Sequence, residues 1–240
     1  VVEPTGADTN VAGYFGGNVG IGTSAPASRL HVNNSSSAAG LFVRGYSTAD
    51  LLTSIQAFWK LEESSGNRAD EVGGNTLTDN NTVTQATGKI GNAGQFTAAN
   101  SEYLSIVDNA SLSAGNIDFS IGAWVYVDTA ASRFILTKQN TADAGAAYWT
   151  SKEYALFLDT TFQVSVGSGA GSDISGTNYV IVDSGVAPTA ATWYYIVAWH
   201  DAAADTVNIQ VNNGTVTSSA SYTGGSHDSA NPFVIGRRQF

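Results

Sequence analysis

The sequence predicts an all-β protein whose larger part is a two-layered β-sandwich. Residues 56–240 contain many short stretches in which apolar, β-branched and aromatic residues alternate with polar ones. Clusters of Gly, Asn, Ser and Asp separate these stretches, and no helical period of apolar residues is sustained along the chain. The 240 residues are 42% hydrophobic, so the chain can bury the core of one large β-domain and still carry an additional segment.

The first 50 residues differ in composition from the rest and are rich in Gly, Ala, Ser and Asn. Residues 17–26 alternate Gly with β-branched residues, residues 29–33 predict a short strand, and residues 41–43 are a candidate for another. Ordering each residue costs about 1–2 kcal/mol, and so short a Gly-rich stretch buries too little apolar surface to offset that cost alone. We therefore expect residues 1–50 to be an adaptor that docks or oligomerises, either packed on the main domain or completed by other chains.

Regular strand patterns begin near residue 56, and we expect residues 51–240 to form one domain. The strands predicted from alternation are 57–61, 95–97, 103–106, 117–127, 133–138, 154–158, 162–166, 192–200 and 206–211. The second and third of these are expected to pair around a turn at Ala99–Asn100. Asn213–Gly214 supplies the two positive φ angles of a two-residue hairpin turn. Strands at this spacing favour a sandwich.

The longest patterned strand, 117–127, has two different faces. Alternate residues from Phe119 to Val127 are apolar and predict the face toward the core. Trp124 and Tyr126 fall on the opposite face. Aromatic residues there indicate that the second face is partly covered as well.

Composition excludes several classes of partner and chemistry. Only 12% of the residues are charged and the net charge is −10, so the surface repels phosphate backbones and anionic membranes. The absence of Cys excludes disulfides, thiolate metal sites and Cys nucleophiles. No apolar run reaches the ~18 residues of a spanning helix. The sequence starts at Val1 and contains no Met, so we expect a processed or truncated product.

Motifs of one known family occur in order along residues 56–240. They are Ala57–Glu63, Gly88–Phe96, Ser101–Ile106, Phe119–Val125, Thr192–Ala198 and Pro232–Gly236. In this order, they resemble the opening strand, the "GKIGNA…F" element, the strand that follows it, the "FSISAWV" strand, the "TWHHVAV" strand and a late strand of laminin-G-like domains. The resemblance implies a concanavalin A-like jelly roll. That family continues into a final strand that pairs near the first, so the resemblance also implies a last strand that is missing here or donated by a neighbour.

The adaptor carries a second resemblance. Asn18–Pro26 together with Leu30–Val32 is similar to an "NVGIGTTSP…LHV" element of phage tail-fibre and virion-surface proteins and of some large bacterial surface proteins. The two resemblances together imply a non-enzymatic virion structural protein, a tail fibre, spike or decoration protein, located at the virion surface. Its expected partners are other virion proteins, further copies of itself with a trimer favoured, and a host glycan. The alternatives are a bacterial cell-surface adhesin or surface-layer module, and an extracellular carbohydrate-binding module of a larger enzyme.

Catalytic patterns are not found in the sequence. Glucanases that share the jelly roll resemble one another in an "ExDxE" strand, which places acid and nucleophile on one face. Here Glu62 and Glu63 are adjacent and point to opposite faces of any strand. His200 and Asp201 are neighbours and cannot face each other as triad members do. We therefore expect no enzymatic activity.

Aromatic residues next to polar loops are the pattern expected for carbohydrate binding, because the C–H faces of sugars pack on aromatic rings. Tyr148, Trp149 and Tyr154 follow Gly145 in such a context and are the candidate carbohydrate-binding residues. The alternative is that these rings pack on the sandwich or against a neighbouring subunit.

Carboxylates in one polar loop are candidate calcium ligands. Calcium requires six to eight oxygen ligands. Asp70, Glu71 and Asp79 lie among glycines and asparagines that could supply further oxygens. The alternative is that they are solvated loop carboxylates, and no cofactor is expected to be required.

Overall fold

A computed structural model describes residues 19–21, 25, 30–32, 54–139, 152–167, 179–219, 222–228 and 230–237. The chain divides into two compact units, Val1–Asp50 and Leu51–Phe240. In the part that the model describes, no helix is long and apolar enough to cross a membrane.

Strands are the main secondary structure among the described residues. They are β1 (Val19–Ile21), β2 (Leu30–Val32), β3 (Thr78–Asn80), β4 (Thr84–Thr87), β5 (Asn92–Gln95), β6 (Tyr103–Ile106), β7 (Phe119–Val127), β8 (Arg133–Gln139), β9 (Lys152–Leu158), β10 (Phe162–Gly167), β11 (Tyr179–Asp183), β12 (Thr192–Asp201), β13 (Thr206–Val211), β14 (Thr217–Ser218) and β15 (Phe233–Ile235). Two short 3-10 helices, Ala98–Asn100 and Ala110–Leu112, lie between strands of the second unit.

In the first unit, β1 and β2 pair in parallel, with Val19 opposite Leu30 and Ile21 opposite Val32. The strand expected within residues 29–33 is therefore present. The strand expected at residues 41–43 falls outside the described residues.

The second unit is a sandwich of antiparallel sheets, as the sequence predicts. A seven-stranded sheet has the order β11-β10-β9-β8-β15-β6-β3, and a four-stranded sheet has the order β14-β13-β12-β7. The hairpin β4–β5 forms a separate two-stranded sheet.

The core lies between the two larger sheets, because each strand turns alternate residues inward. In β12, Tyr194, Ile196 and Ala198 are buried, and in β10, Val164 and Val166 are buried. Burying a large aliphatic side chain contributes about 1.5–3 kcal/mol each, which makes this two-residue alternation the main determinant of the fold.

The segment 57–61, expected to be the first strand, has no strand structure. Leu61 has a φ of 59°, in the left-handed region, which interrupts an extended chain. The Phe58 N–H donates to the Asp70 carboxylate, and the Trp59 indole N–H donates to a loop carbonyl. These backbone and side-chain groups are bonded to the following loop instead of to a neighbouring strand.

The expected pairing of residues 95–97 with residues 103–106 is also wrong. The strand β5, which ends at Gln95, pairs with β4, whereas β6 lies between β3 and β15. The intervening 3-10 helix and the Glu102 carboxylate, which accepts the Thr97 N–H at 2.7 Å, hold the connection in a compact turn.

The hairpin after β13 turns one residue earlier than expected. Asn212 and Asn213 have φ angles of 50° and 59°, and the Gly214 N–H donates to the Val211 carbonyl at 2.9 Å. The two central positions of this turn are therefore both asparagines, which tolerate positive φ well.

The strand β7 is an edge of the four-stranded sheet in the described part of the chain, where it pairs with β12 alone. Its inward residues from Phe119 to Val125 are only half-buried. By contrast, Ile196 and Ile209 on the two central strands have 0% exposure. The core is therefore less completely buried at this edge.

Candidate functional site

Four aromatic side chains lie together on the outer face of the four-stranded sheet, and we call them the aromatic ladder. In the register between β7 and β12, Trp124 lies opposite Tyr195, and Tyr126 lies opposite Trp193. The ring centroids of these two pairs are 5.1 Å and 5.3 Å apart, with the rings tilted by 43° and 54°. Trp124, Tyr126 and Tyr195 are 44%, 48% and 40% exposed, while Trp193 is half-buried.

The ladder follows from the two-residue period of both strands. Since Tyr194 and Ile196 point into the core, the aromatic residues between and before them point outward. The sequence predicted that this face is partly covered, and in the described part of the chain Trp124 and Tyr126 each keep somewhat less than half of their surface exposed. A contiguous exposed apolar patch rimmed by polar residues is typical of an interaction site.

Gly122 shapes the surface beside the ladder. A Cβ atom placed on it would lie 3.2 Å from the Tyr195 hydroxyl. The Tyr195 ring therefore leans along the sheet toward Gly122, where no side chain blocks it.

Carboxamides on β13 and in its turn border the ladder. Gln210 lies on the outer face, and its amide donates to the Gly214 carbonyl at 2.7 Å. The Asn212 side-chain oxygen accepts the backbone N–H of Tyr195 at 2.8 Å. Amide groups offer both donors and acceptors, which suits the hydroxyl groups of a sugar.

Of the three predicted carbohydrate-binding residues, Tyr148 and Trp149 fall outside the described residues. Tyr154 is buried, with 5% of its surface exposed, and its hydroxyl donates to the Leu112 carbonyl at 2.6 Å. Burial, reinforced by the negative charge of Glu153, raises the pKa of Tyr154 above its ordinary value. Its ring belongs to the core and is not presented to a ligand, which corrects the prediction for this residue.

The carboxylate of Asp70 organises the loop in which it lies. Its two oxygens accept the backbone N–H groups of Phe58, Val72, Gly73 and Asn75 at 2.8–3.0 Å. Burial by itself would raise the pKa of Asp70, but these four donors favour the charged form more strongly and hold the pKa below its ordinary value. The side chain acts as a structural acceptor for its own loop.

The other two predicted calcium ligands are also bonded within the chain. Glu71 forms an ion pair with Lys60 at 3.1 Å. Asp79 accepts the backbone N–H groups of Gly66 and Val83 at 3.0 Å and 2.8 Å. Among the residues that the structure describes, no three His, Asp or Glu side chains form a group that could hold a metal ion. Calcium binding at this loop stays a prediction.

A charged cluster lies inside the sandwich. The Lys138 ammonium is fully buried and lies 2.5 Å from the Glu153 carboxylate and 3.0 Å from the Asp108 carboxylate. The second Glu153 oxygen accepts the Ala114 N–H at 2.7 Å. This cluster joins β8 and β9 to the loop before β7, so its role in the fold is structural.

His200 has the structural setting of a packed residue. It is 1% exposed, and its Nδ1 lies 2.8 Å from the Ile117 carbonyl oxygen. The neighbouring Asp201 carboxylate accepts the backbone N–H groups of Ala203 and Ala204 instead. The two side chains are therefore bonded to different backbone groups and not to each other.

The fold agrees with a known family. A family model described as the concanavalin A-like lectin/glucanases superfamily matches residues 98–240, which is more than half of the chain. The chain belongs to this superfamily. Nothing among the curated proteins matches it. The superfamily match does not extend to residues 18–32, so their resemblance to virion-surface proteins stays a prediction.

Two solved structures are similar to this chain. Domain 4 of AbnA, an extracellular GH43 arabinanase from Geobacillus stearothermophilus solved in complex with arabinotriose, matches with a TM-score of 0.51 and 15% identity. The match covers 74% of this chain and 86% of that domain. The native heptameric SAP-like pentraxin from Limulus polyphemus matches with a TM-score of 0.40 and 12% identity, over 57% of this chain and 58% of the pentraxin. At these identities, the first match shows the fold alone and the second carries no conclusion.

Sequence reasoning found only half of the aromatic ladder of this superfamily member. Trp124 and Tyr126 were placed on one face of their strand, but Trp193 and Tyr195 were not assigned to the same surface. The missing signal is the register, because only the antiparallel pairing of β7 with β12 brings the four rings together. The nearby Lys89 comes from a turn in a different sheet and has no sequence pattern that links it to them.

Proposed function

We propose that the chain is a non-enzymatic attachment module of a virion surface, and that its jelly roll binds glycans through the aromatic ladder. The observation that carries the proposal is the exposure of these aromatic rings on one sheet face. Leaving aromatic rings exposed to water costs free energy. A group of exposed rings on one face is therefore typical of a surface that contacts a ligand or a partner.

The chemistry of the surface favours sugars. Pyranose and furanose rings present C–H groups that pack on aromatic faces, while their hydroxyls require hydrogen-bond partners at the edge. The ladder supplies the faces, and the carboxamides of Gln210 and Asn212 supply polar groups beside them. The arabinotriose complex of AbnA domain 4 supports a carbohydrate as the ligand class for this fold.

The placement at a virion surface is supported by the resemblance of residues 18–26 and 30–32 to virion-surface elements. A trimer would present three ladders and strengthen weak contacts through effective concentration. The absence of an "ExDxE" spacing supports binding without hydrolysis. The alternative location for the same module is a bacterial cell surface.

The decisive experiment measures binding of the purified chain to a panel of plant, bacterial and host glycans, with the number of copies determined by light scattering. The double substitution Trp124→Ala with Trp193→Ala removes one ring from each ladder pair. We expect it to weaken glycan binding by roughly 30-fold or more, the effect of removing an aromatic residue that dominates an interface.

Phe58→Ala provides a matched control. Phe58 is 43% exposed but lies in the loop held by Asp70, outside the ladder. We expect this variant to bind as the unaltered chain does. Absence of any glycan binding, or equal binding by the ladder variant and the unaltered chain, would contradict the proposal.

A further inference from the structure

One lysine stands beside the aromatic ladder. The Lys89 ammonium, in the turn between β4 and β5, lies 5.5 Å from the centroid of the Trp124 ring. Its side chain is exposed, and within the described residues no carboxylate lies within 4 Å of it. By contrast, Lys60, Arg133 and Lys138 each form an ion pair with a carboxylate. The charge of Lys89 is therefore available to a ligand on the Trp124 ring.

Carboxylates lie at both ends of the paired ladder strands, and the one at the ladder end, Asp128, is paired with Arg133. At the end of β12 away from the ladder, the Asp201 carboxylate accepts the Ala203 and Ala204 N–H groups, and Asp118 accepts the Ala202 N–H at 2.8 Å. These two carboxylates lie beyond the far ends of the same paired strands. The chain as a whole carries a net charge of −10, so most of its surface repels an anion. Lys89 is the cationic group positioned at the ladder.

We propose, on the basis of the glycan-binding function above, that the ladder binds an acidic polysaccharide built from uronic acids. A uronic acid ring packs on Trp124, and its carboxylate pairs with the Lys89 ammonium. Ring positions along a strand are spaced by two residues, roughly 7 Å, so successive rings of the ladder can contact different sugars of one polymer chain. The following sugars then pack on Tyr126 and Trp193, next to the end of β7 where the Asp128 carboxylate is paired with Arg133.

The Lys89 ammonium lies over the Trp124 ring, so a sugar that packs on this ring moves the ammonium aside. A cation over an aromatic face is held by the ring quadrupole, and an exposed contact of this kind is worth about 0.5–1 kcal/mol. The ammonium can therefore move to a carboxylate at the ring edge at little cost. A neutral sugar gains the ring contact alone.

The test compares polygalacturonate, alginate and hyaluronate with the carboxyl-reduced form of each polymer, which keeps the backbone and removes the charge. At low salt, we expect the unaltered chain to bind at least one acidic form about two- to fivefold more tightly than its reduced form, the range of one exposed ion pair. Lys89→Gln should abolish that difference. At about 1 M salt, where the Debye length is about 3 Å, the difference should also disappear.

Lys60→Gln is the matched control, because it removes the same charge from an exposed lysine that is paired with Glu71. It should preserve the preference for the acidic form. Equal binding of the acidic and reduced polymers overturns the acidic ligand, and so does a preference for the acidic form that survives Lys89→Gln. The glycan-binding function stands in either case if Trp124→Ala weakens the binding of both polymers. Binding of neutral glycans alone also overturns it. If no glycan binds in a Trp124-dependent manner, both proposals fail.

Discussion

The buried charged cluster and the aromatic ladder reverse the usual placement of polar and apolar side chains. Lys138 has no exposed surface and contacts two carboxylates inside the sandwich. Trp124, the larger and more apolar residue, is 44% exposed on the outer sheet face. Both arrangements are unusual for their residue types.

The difference between them lies in what each group contacts. The polar atoms of the buried cluster have protein partners, since the Glu153 oxygens bind both the Lys138 ammonium and the Ala114 N–H. The exposed rings contact one another and Lys89, and they leave surface open to solvent. We infer that the first region stabilises the fold, and that the second is available for a ligand.

The largest effect is expected from breaking the buried cluster. Lys138→Met leaves the carboxylates of Glu153 and Asp108 without their cation, and should lower the free energy of unfolding by about 3–5 kcal/mol. Chemical denaturation at neutral pH measures this change. Any folded variant should still bind glycan, because no ladder residue is altered.

Two comparisons make that measurement specific to the cluster. Lys60→Met removes an exposed ion-paired lysine and should cost less than about 1 kcal/mol. Adding Glu153→Gln and Asp108→Asn to Lys138→Met removes the two carboxylate charges that have lost their cation, and should restore part of the lost stability. A loss below about 1 kcal/mol for Lys138→Met would show that the cluster does not hold β8 and β9 together.

A smaller effect with a defined pH dependence is expected at Asp70. Because its pKa is held below the ordinary value in the folded chain, its carboxylate contributes stability above the unfolded pKa of about 3.9, and the contribution is lost as pH falls through the folded pKa. Asp70→Asn should therefore lower the free energy of unfolding by about 1–3 kcal/mol at about pH 7, and by much less at about pH 2. Urea denaturation across this range measures the difference.

Asp128→Asn is the control for that experiment. Asp128 is 69% exposed and pairs with Arg133 at the surface, so its substitution should change stability by less than about 1 kcal/mol at any pH. A cost at Asp70 that does not depend on pH would mean that the shape of the side chain, and not its charge, organises the loop.

The fold was predictable because burial imposes a simple period. The strands at 133–138, 162–166, 192–200 and 206–211 are confirmed within one residue of their observed ends. The alternation predicted a strand wrongly where the backbone is bonded to a loop side chain and not to a neighbouring strand. At 57–61, the apolar alternation is real and Trp59 packs on the core, but the backbone is bonded to the Asp70 loop.

The site was less predictable because it depends on contacts between distant segments. Tyr154 alternates with Leu156 on the inner face, and only the structure shows that its hydroxyl is bonded to Leu112. Acidic residues in a loop likewise resemble metal ligands until their hydrogen bonds are known. Asp70 is an example, because its oxygens are engaged by four backbone donors.

The smallest effect on stability is expected at the ladder itself, and it separates a binding surface from a structural one. Tyr126→Ala and Trp193→Ala should each lower the free energy of unfolding by less than about 1.5 kcal/mol, because each removes chiefly one cross-strand aromatic contact. A buried aromatic residue would cost about 3–5 kcal/mol. In a double-mutant cycle read by denaturation, the coupling between the two rings should be about 0.5–1.5 kcal/mol. If each substitution lowers the free energy of unfolding by as much as that of a buried aromatic residue, the rings stabilise the sheet. That result would remove the reason to regard this face as a ligand surface.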